Sequence, residues 1–101
     1  MGRHRDRLQI IADILRIVKR GSRKTRIMHR ARLSYTLLCR YLTEVVKADL
    51  IFCENGNYVL TRKGEKFLDK FNVYSQHCEH LNDHLNTVSS ERMELEKMCS
   101  A

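Results

Sequence analysis

Apolar residues return along this chain at helical spacing in three short blocks and one long one, and those blocks predict its elements. Leu8, Ile11, Leu15 and Val18, joined by Ile10, Ile14 and Ile17, predict a helix from about Asp6 to Arg20. Its apolar arc is too wide for one contact surface, so it is expected to pack on the other short helices and on the start of the long one. Lys19 and Arg20 suit the negative end of its dipole, and Gly21 supplies the stop. Thr25 is placed to cap a brief helix, Arg26 to Ala31, with Ile27, Met28 and Ala31 as its apolar face. Arg32 and Leu33 make a turn, and Ser34 caps a third helix, Tyr35 to Ala48. There Leu38, Leu42 and Val45, with Leu37, Tyr41 and Val46 beside them, form the buried side, and Tyr35, Thr36, Cys39, Arg40, Thr43 and Lys47 form the opposite face.

After Asp49 the period changes. Two β-prone runs, Leu50 to Glu54 and Asn57 to Leu60, flank Asn55-Gly56, a pair suited to a two-residue type I′ hairpin because both central residues need positive φ. Thr61 then caps a fourth helix that starts at Arg62, Lys63 and Gly64. Beyond it Phe67, Phe71, Tyr74, Cys78, Leu81, Leu85 and Val88 follow one another at alternating steps of four and three, a heptad seam. Phe71, Cys78, Leu85, Arg92 and Cys99 take a positions, and Phe67, Tyr74, Leu81, Val88 and Leu95 take d positions. No proline or glycine interrupts the chain after Glu65, so one helix of roughly 35 residues, about 50 Å long, is allowed. A lone helix of that length leaves its seam uncovered, which calls for a partner.

Charge changes this picture by dividing the chain. Residues 1–53 hold 13 Lys and Arg against 4 Asp and Glu, a balance of +9, whereas residues 54–101 hold 6 against 8, a balance of −2. The first half is therefore expected to meet a polyanion, nucleic acid foremost, and the second half is not. Tyr35, Thr36, Arg40 and Thr43 have the reach and polarity to address base edges and phosphates from the third helix, with Lys47 at its end. Arg23, Lys24, Arg26, His29, Arg30 and Arg32 surround the second helix, where phosphate contacts would set register. The hairpin tip, Glu54 to Asn57, has no cation of its own, so Arg62 and Lys63 beyond it are the expected backbone contacts on that side. Arg3 to Arg7 form either a minor-groove arm or a basic tail.

Other chemistry finds little support. Cys39, Cys53, Cys78 and Cys99 lack CxxC spacing and read as reduced thiols, mostly small buried apolar residues. His77, Cys78, His80 and His84 fall on different sides of the long helix, which argues against a metal, and histidines lining a dimer interface would weaken pairing when protonated. No nucleophile, phosphate loop or acid pair suggests catalysis, and no cofactor is expected. No apolar run is long enough for a membrane span, and Met1 to Arg7 is not followed by the apolar stretch of a signal peptide, so a soluble intracellular protein is expected. Arg92, at an a position, is expected either to fray the coil after Val88 or to meet an acid such as Glu91, Glu94 or Glu96 on a second chain.

The order helix, helix, helix, hairpin is that of a winged helix-turn-helix. Three segments carry a resemblance: Thr25-Arg-Ile-Met-His-Arg-Ala-Arg-Leu-Ser34, Tyr41-Leu-Thr-Glu-Val-Val-Lys-Ala-Asp-Leu-Ile51 and Tyr58-Val-Leu-Thr-Arg-Lys-Gly64. Over roughly Arg5 to Leu95 the chain resembles the small archaeal winged-helix DNA-binding proteins that dimerise through a long C-terminal helix paired as an antiparallel coiled coil. The fold class so implied is α+β and mostly helical, with a winged-helix DNA-binding domain over 5–63 and a coiled-coil dimerisation helix over 64–99. The implied function is a homodimeric double-stranded-DNA-binding protein, chromatin-like or regulatory, located on the chromosome. Its DNA-binding residues would be Arg26, His29, Arg30, Arg32, Ser34, Tyr35, Thr36, Arg40, Thr43, Lys47, Arg62 and Lys63. Its dimer seam would hold Phe67, Phe71, Tyr74, Cys78, Leu81, Leu85, Val88 and Leu95. A protein-interaction module, with the coil recruiting a different chain and the winged helix as a docking fold, is the alternative.

Overall fold

A computed structural model describes residues 5–79 and 85–100. The first helix, α1, runs Arg7–Ile17 and continues as a single 3-10 turn, Val18–Arg20. Asp6 and Gln9 close its start reciprocally, each side chain bonding the other's backbone amide at 2.9 Å. Leu8, Ile11, Ala12, Ile14 and Leu15 are completely buried, and α1 packs on α2 (Lys24–Ala31) on one side and on α4 (Arg62–Glu79) on the other. The wide apolar arc is thereby covered.

Helix α2 starts at Lys24, before the predicted Arg26, with Arg23 as its cap and no side chain bonding its first amides. Thr25 therefore lies inside the helix. Between α1 and α2 the dipeptide Ser22–Arg23 forms a short strand, β1, that the hydrophobic pattern does not reveal. It joins β2 (Ile51–Glu54) and β3 (Asn57–Leu60) in a three-stranded antiparallel sheet of order β1-β3-β2. The hairpin is as expected, with Asn55 at φ 54° and Gly56 at φ 81° bridging Glu54 and Asn57.

Helix α3 spans Tyr35–Lys47, and Ser34 caps it by accepting a hydrogen bond from the Leu37 amide at 3.2 Å. Leu38, Leu42 and Val45 point inward. Its end is closed by Asp49 in a left-handed conformation, φ 65°, as the Leu50 amide donates back to the Val45 carbonyl at 2.9 Å. Thr61 accepts from the Gly64 amide at 3.0 Å and donates to the Asp49 carbonyl at 2.6 Å, tying the start of α4 to the end of α3. Gly64 permits that contact: a Cβ there would lie 2.2 Å from the Leu50 carbonyl oxygen.

The single helix expected from 62 to 99 is corrected. Helix α4 ends at Glu79, and a separate helix, α5 (Leu85–Cys99), lies antiparallel against it. Lys70 meets Glu94 at 2.7 Å, the Arg92 guanidinium donates to the Tyr74 hydroxyl at 2.9 Å, and His77 Nδ1 lies 2.6 Å from Glu91. The physical reason is the uncovered seam. Folded back, the chain buries Phe67, Phe71, Tyr74, Leu95 and Cys99 without a second molecule, and Cys78 is half-buried beside them. Leu81, His80 and His84 lie outside the described residues, as do the side chains of Leu85 and Val88. Arg92 neither frays the helix nor needs an acid from another chain, since Asp6 and Glu96 of its own chain also stand 3.7 Å away.

Candidate nucleic-acid interface

The exposed side of α3 owes its composition to the buried side. With Leu38, Leu42 and Val45 held in the core, helical geometry turns Tyr35, Thr36, Arg40, Thr43 and Lys47 outward. Tyr35 is exposed despite its large ring, at 60% exposure. Lys24, at the start of α2, stands over the Tyr35 ring, 5.4 Å from its centre, and its ammonium is 3.9 Å from Cys39 Sγ. Cys39 foremost, then Tyr35 and Tyr58, hold the Lys24 pKa above its ordinary value. Burial above all pushes the Tyr58 hydroxyl up. Lys24 thus stays a cation at the mouth of a hollow shared with Cys39, Thr43, Lys47, Cys53 and Tyr58, about 340 Å³ in volume.

The same face is free of carboxylates. Glu44 is the acid within α3, and it is turned aside to Arg7, which also binds Glu96. Arg40 and Lys47 have no hydrogen-bond or ion-pair partner among the described residues. Thr43 is partly committed, since its hydroxyl donates to the Cys39 carbonyl at 2.9 Å and leaves only acceptor lone pairs for a ligand.

The remaining expected contacts separate. Arg32 ends α2 in a left-handed conformation, φ 57°, and the buried Leu33 then anchors the turn into Ser34. His29 is exposed on α2. Arg26 and Arg30 lie toward the end of α1, bordering a different hollow. Arg62 is exposed, whereas the Lys63 ammonium donates to the Ala48 carbonyl at 2.8 Å and closes the end of α3.

Arg23 and Lys24, expected as phosphate contacts around the second helix, are carried to the hairpin and to α3 for one cause, strand β1. Strand β1 pairs Arg23 with Asn57, and the Arg23 guanidinium comes within 2.9 Å of where a Cβ on Gly56 would sit. The hairpin tip therefore has a cation, borrowed from a neighbouring strand, and the expectation of a tip without one is corrected. Lys24 is brought to α3 by the same strand. The available signal was the predicted hairpin, whose open edge invites an extended neighbour.

Among the described residues no group of three or more His, Cys, Asp and Glu side chains could hold a metal ion. No described helix is long and apolar enough to cross a membrane. The four cysteines are unpaired: Cys99 is buried, Cys39 and Cys78 are half-buried, and Cys53 is exposed rather than in the core.

A capped, outward-facing helix in a tri-helical head, flanked by a β-hairpin, defines a winged helix-turn-helix domain. Comparison with known families agrees, since residues 4–79 match the winged helix-turn-helix family, and the chain belongs to it. An uncharacterised protein of Methanocaldococcus jannaschii is 37% identical over 67 residues, which cover 65% of this chain. The match spans 32% of that relative, so the chain corresponds to about a third of its length.

Proposed function

We propose that this chain binds double-stranded DNA by placing α3 in the major groove. The observation that carries this reading is the α3 face itself, with Arg40 and Lys47 unpaired, the helix's acid sequestered by Arg7, and Lys24 held beside Tyr35. Arg40 is the candidate for a base edge or a phosphate, and Tyr35, Thr36 and Thr43 for polar and apolar contacts along the groove. Lys24 and Arg23 would hold the backbone on either side of α3, with Arg62 as a further contact. The activity is binding rather than catalysis, and a chromosome-associated architectural protein or transcription regulator is the role it suits.

Self-association belongs to the same reading. The pairs Lys70 with Glu94, Tyr74 with Arg92 and His77 with Glu91 have their midpoints at positions 82, 83 and 84. A two-fold axis near position 83 would therefore let a second copy's α5 make the same contacts, pairing the C-terminal helices of two chains antiparallel. The heptad pattern over 67–99 supports that homodimer, and the winged-helix head and the C-terminal helices would then be separate functional units, 5–63 and 64–99.

Duplex affinity measured by fluorescence anisotropy across a salt series tests the first claim. Log K should fall against log salt with a slope of about −3 or steeper, as several phosphates release their counterions; a salt-independent affinity, or no binding at low salt, would refute it. Sedimentation equilibrium tests the second, with a dimer mass expected and a monomer at all concentrations refuting it.

A further inference from the structure

Residues near the end of α1 and on the far side of α2 form a second basic hollow, about 430 Å³ in volume, bordered by Arg16, Lys19, Arg20, Arg26 and Arg30. Arg16 is already engaged, with Asp13 at 3.2 Å, Asn72 at 3.3 Å and the Phe71 ring at 5.6 Å. Lys19, Arg20, Arg26 and Arg30 are exposed, and none has a hydrogen-bond or ion-pair partner among the described residues. Glu65 and Asp69 border an adjoining hollow that shares Arg16 and Lys19, but neither lines this one. Arg26 and Arg30 are four apart on one helix, a like-charge pair that costs stability unless an anion lies across it.

This hollow opens away from α3. Lys24 contacts Cys39 and Tyr35 on α3, and Arg26 follows it by two residues, about 200° around the helix axis at 3.6 residues per turn. A duplex seated on α3 therefore meets the Lys24 side of α2 and leaves the Arg26 and Arg30 stripe uncovered. The walls carry no aromatic ring to stack a base or grip an apolar ligand, while flexible cations on an open concave surface match a phosphodiester backbone.

We propose that this hollow is a second phosphate-backbone site, through which one head holds a second DNA duplex beside the one on α3. The proposal rests on the reading of the chain as a DNA-binding protein. It assigns Arg26 and Arg30, with Lys19 and Arg20, to bridging rather than to register on the first duplex. A head with two such faces would hold duplexes side by side whether or not the chain dimerises.

Capture of a fluorescent duplex on beads that carry an immobilised duplex and the full-length protein tests it, read beside single-duplex affinity in solution. Wild type should capture the second duplex. The double variant Arg26→Gln and Arg30→Gln, both at exposed positions, should keep single-duplex Kd within about threefold and wild-type circular dichroism, yet lose capture by about tenfold or more at a dilution where sedimentation shows a monomer, since the second α3 of a dimer would otherwise still capture. Arg40→Gln should weaken single-duplex binding instead. Wild type that binds one duplex but captures no second would overturn the proposal, as would capture unchanged in the double variant. A double variant whose single-duplex affinity falls as far as that of Arg40→Gln would also overturn it, because the two faces would then be one site. Wild type that binds no duplex at all would refute the DNA-binding reading, and this proposal with it.

Discussion

The head and the α4–α5 pair are held together by different means. In the head, Leu8, Ile11, Ile14, Leu15, Ile27, Leu38 and Val45 have no exposure at all and meet one another from three helices. Where α5 lies against α4, the contacts alternate between a few buried groups, such as Tyr74 and Leu95, and exposed or half-exposed ion pairs from Lys70 to Glu94 and from His77 to Glu91. Apolar burial of the first kind is worth about 1.5 to 3 kcal/mol per large side chain, whereas exposed ion pairs contribute about 0 to 1 kcal/mol each. The difference teaches which part of the fold is exchangeable. The head's core cannot be rebuilt from another molecule without unfolding it, whereas the contacts of α5 are the ones that the proposed homodimer would exchange between copies.

Substitutions can break that contrast. Phe67 sits at the root of α4 with no exposure, stacked 6.3 Å from Phe71, so Phe67→Ala should cost about 3 to 5 kcal/mol in urea unfolding. Leu95 is as deeply buried, but on α5; Leu95→Ala should cost about 2 kcal/mol at the lower end of the leucine range, with α1 to α3 retained by hydrogen exchange. Equal collapse of the head in both variants would erase the distinction.

Alkali gives the next largest effect. Burial above all pushes the Cys99 thiol up to about 11 from its ordinary 9.0, so the folded state holds this proton more tightly than the unfolded state. Stability should therefore fall as pH rises from about 9 to 11, by on the order of 2 kcal/mol, and should be unaffected by this group below pH 8. Thermal melts of wild type and Cys99→Ala across that window should show a steeper decline in wild type; parallel declines would refute the assignment. The smallest effect belongs to Arg92, whose a position would take leucine in a complete heptad. Arg92→Leu exchanges one hydrogen bond to Tyr74 and two distant acids for apolar contact, and should change stability by less than about 1 kcal/mol in either direction.

These regions also differ in how far the sequence discloses them. The three short helices follow from the spacing of Leu8 to Val18, from Ile27, and from Leu38, Leu42 and Val45, and the hairpin follows from Asn55-Gly56. Each is dictated by local chemistry that the core reinforces. Strand β1 is two residues long and has no period; Ser22 and Arg23 become a strand only because Tyr58 and Asn57 lie beside them. That tertiary cause is why the sequence places Arg23 and Lys24 around the second helix but does not disclose Arg23 at the hairpin tip or Lys24 at α3. The reversal between α4 and α5 is hidden for a different reason: from Glu65 onward the residues suit an unbroken helix and a folded one alike, so only the choice of partner separates them. Among the candidate contacts, those on α3 are exposed, while Lys63 is drawn to the end of α3, and Arg26 and Arg30 to the other side of α2.

The central claim is that α3 is the surface that meets DNA, and duplex affinity of Arg40→Glu beside Lys97→Glu tests it most directly. Both positions are exposed and both substitutions change net charge equally, but Lys97 lies in the last turn of α5. Arg40→Glu should weaken binding by about 2 kcal/mol, roughly 30-fold, with Lys97→Glu within about threefold of wild type. Equal losses in the two variants, or no loss in Arg40→Glu, would contradict the account.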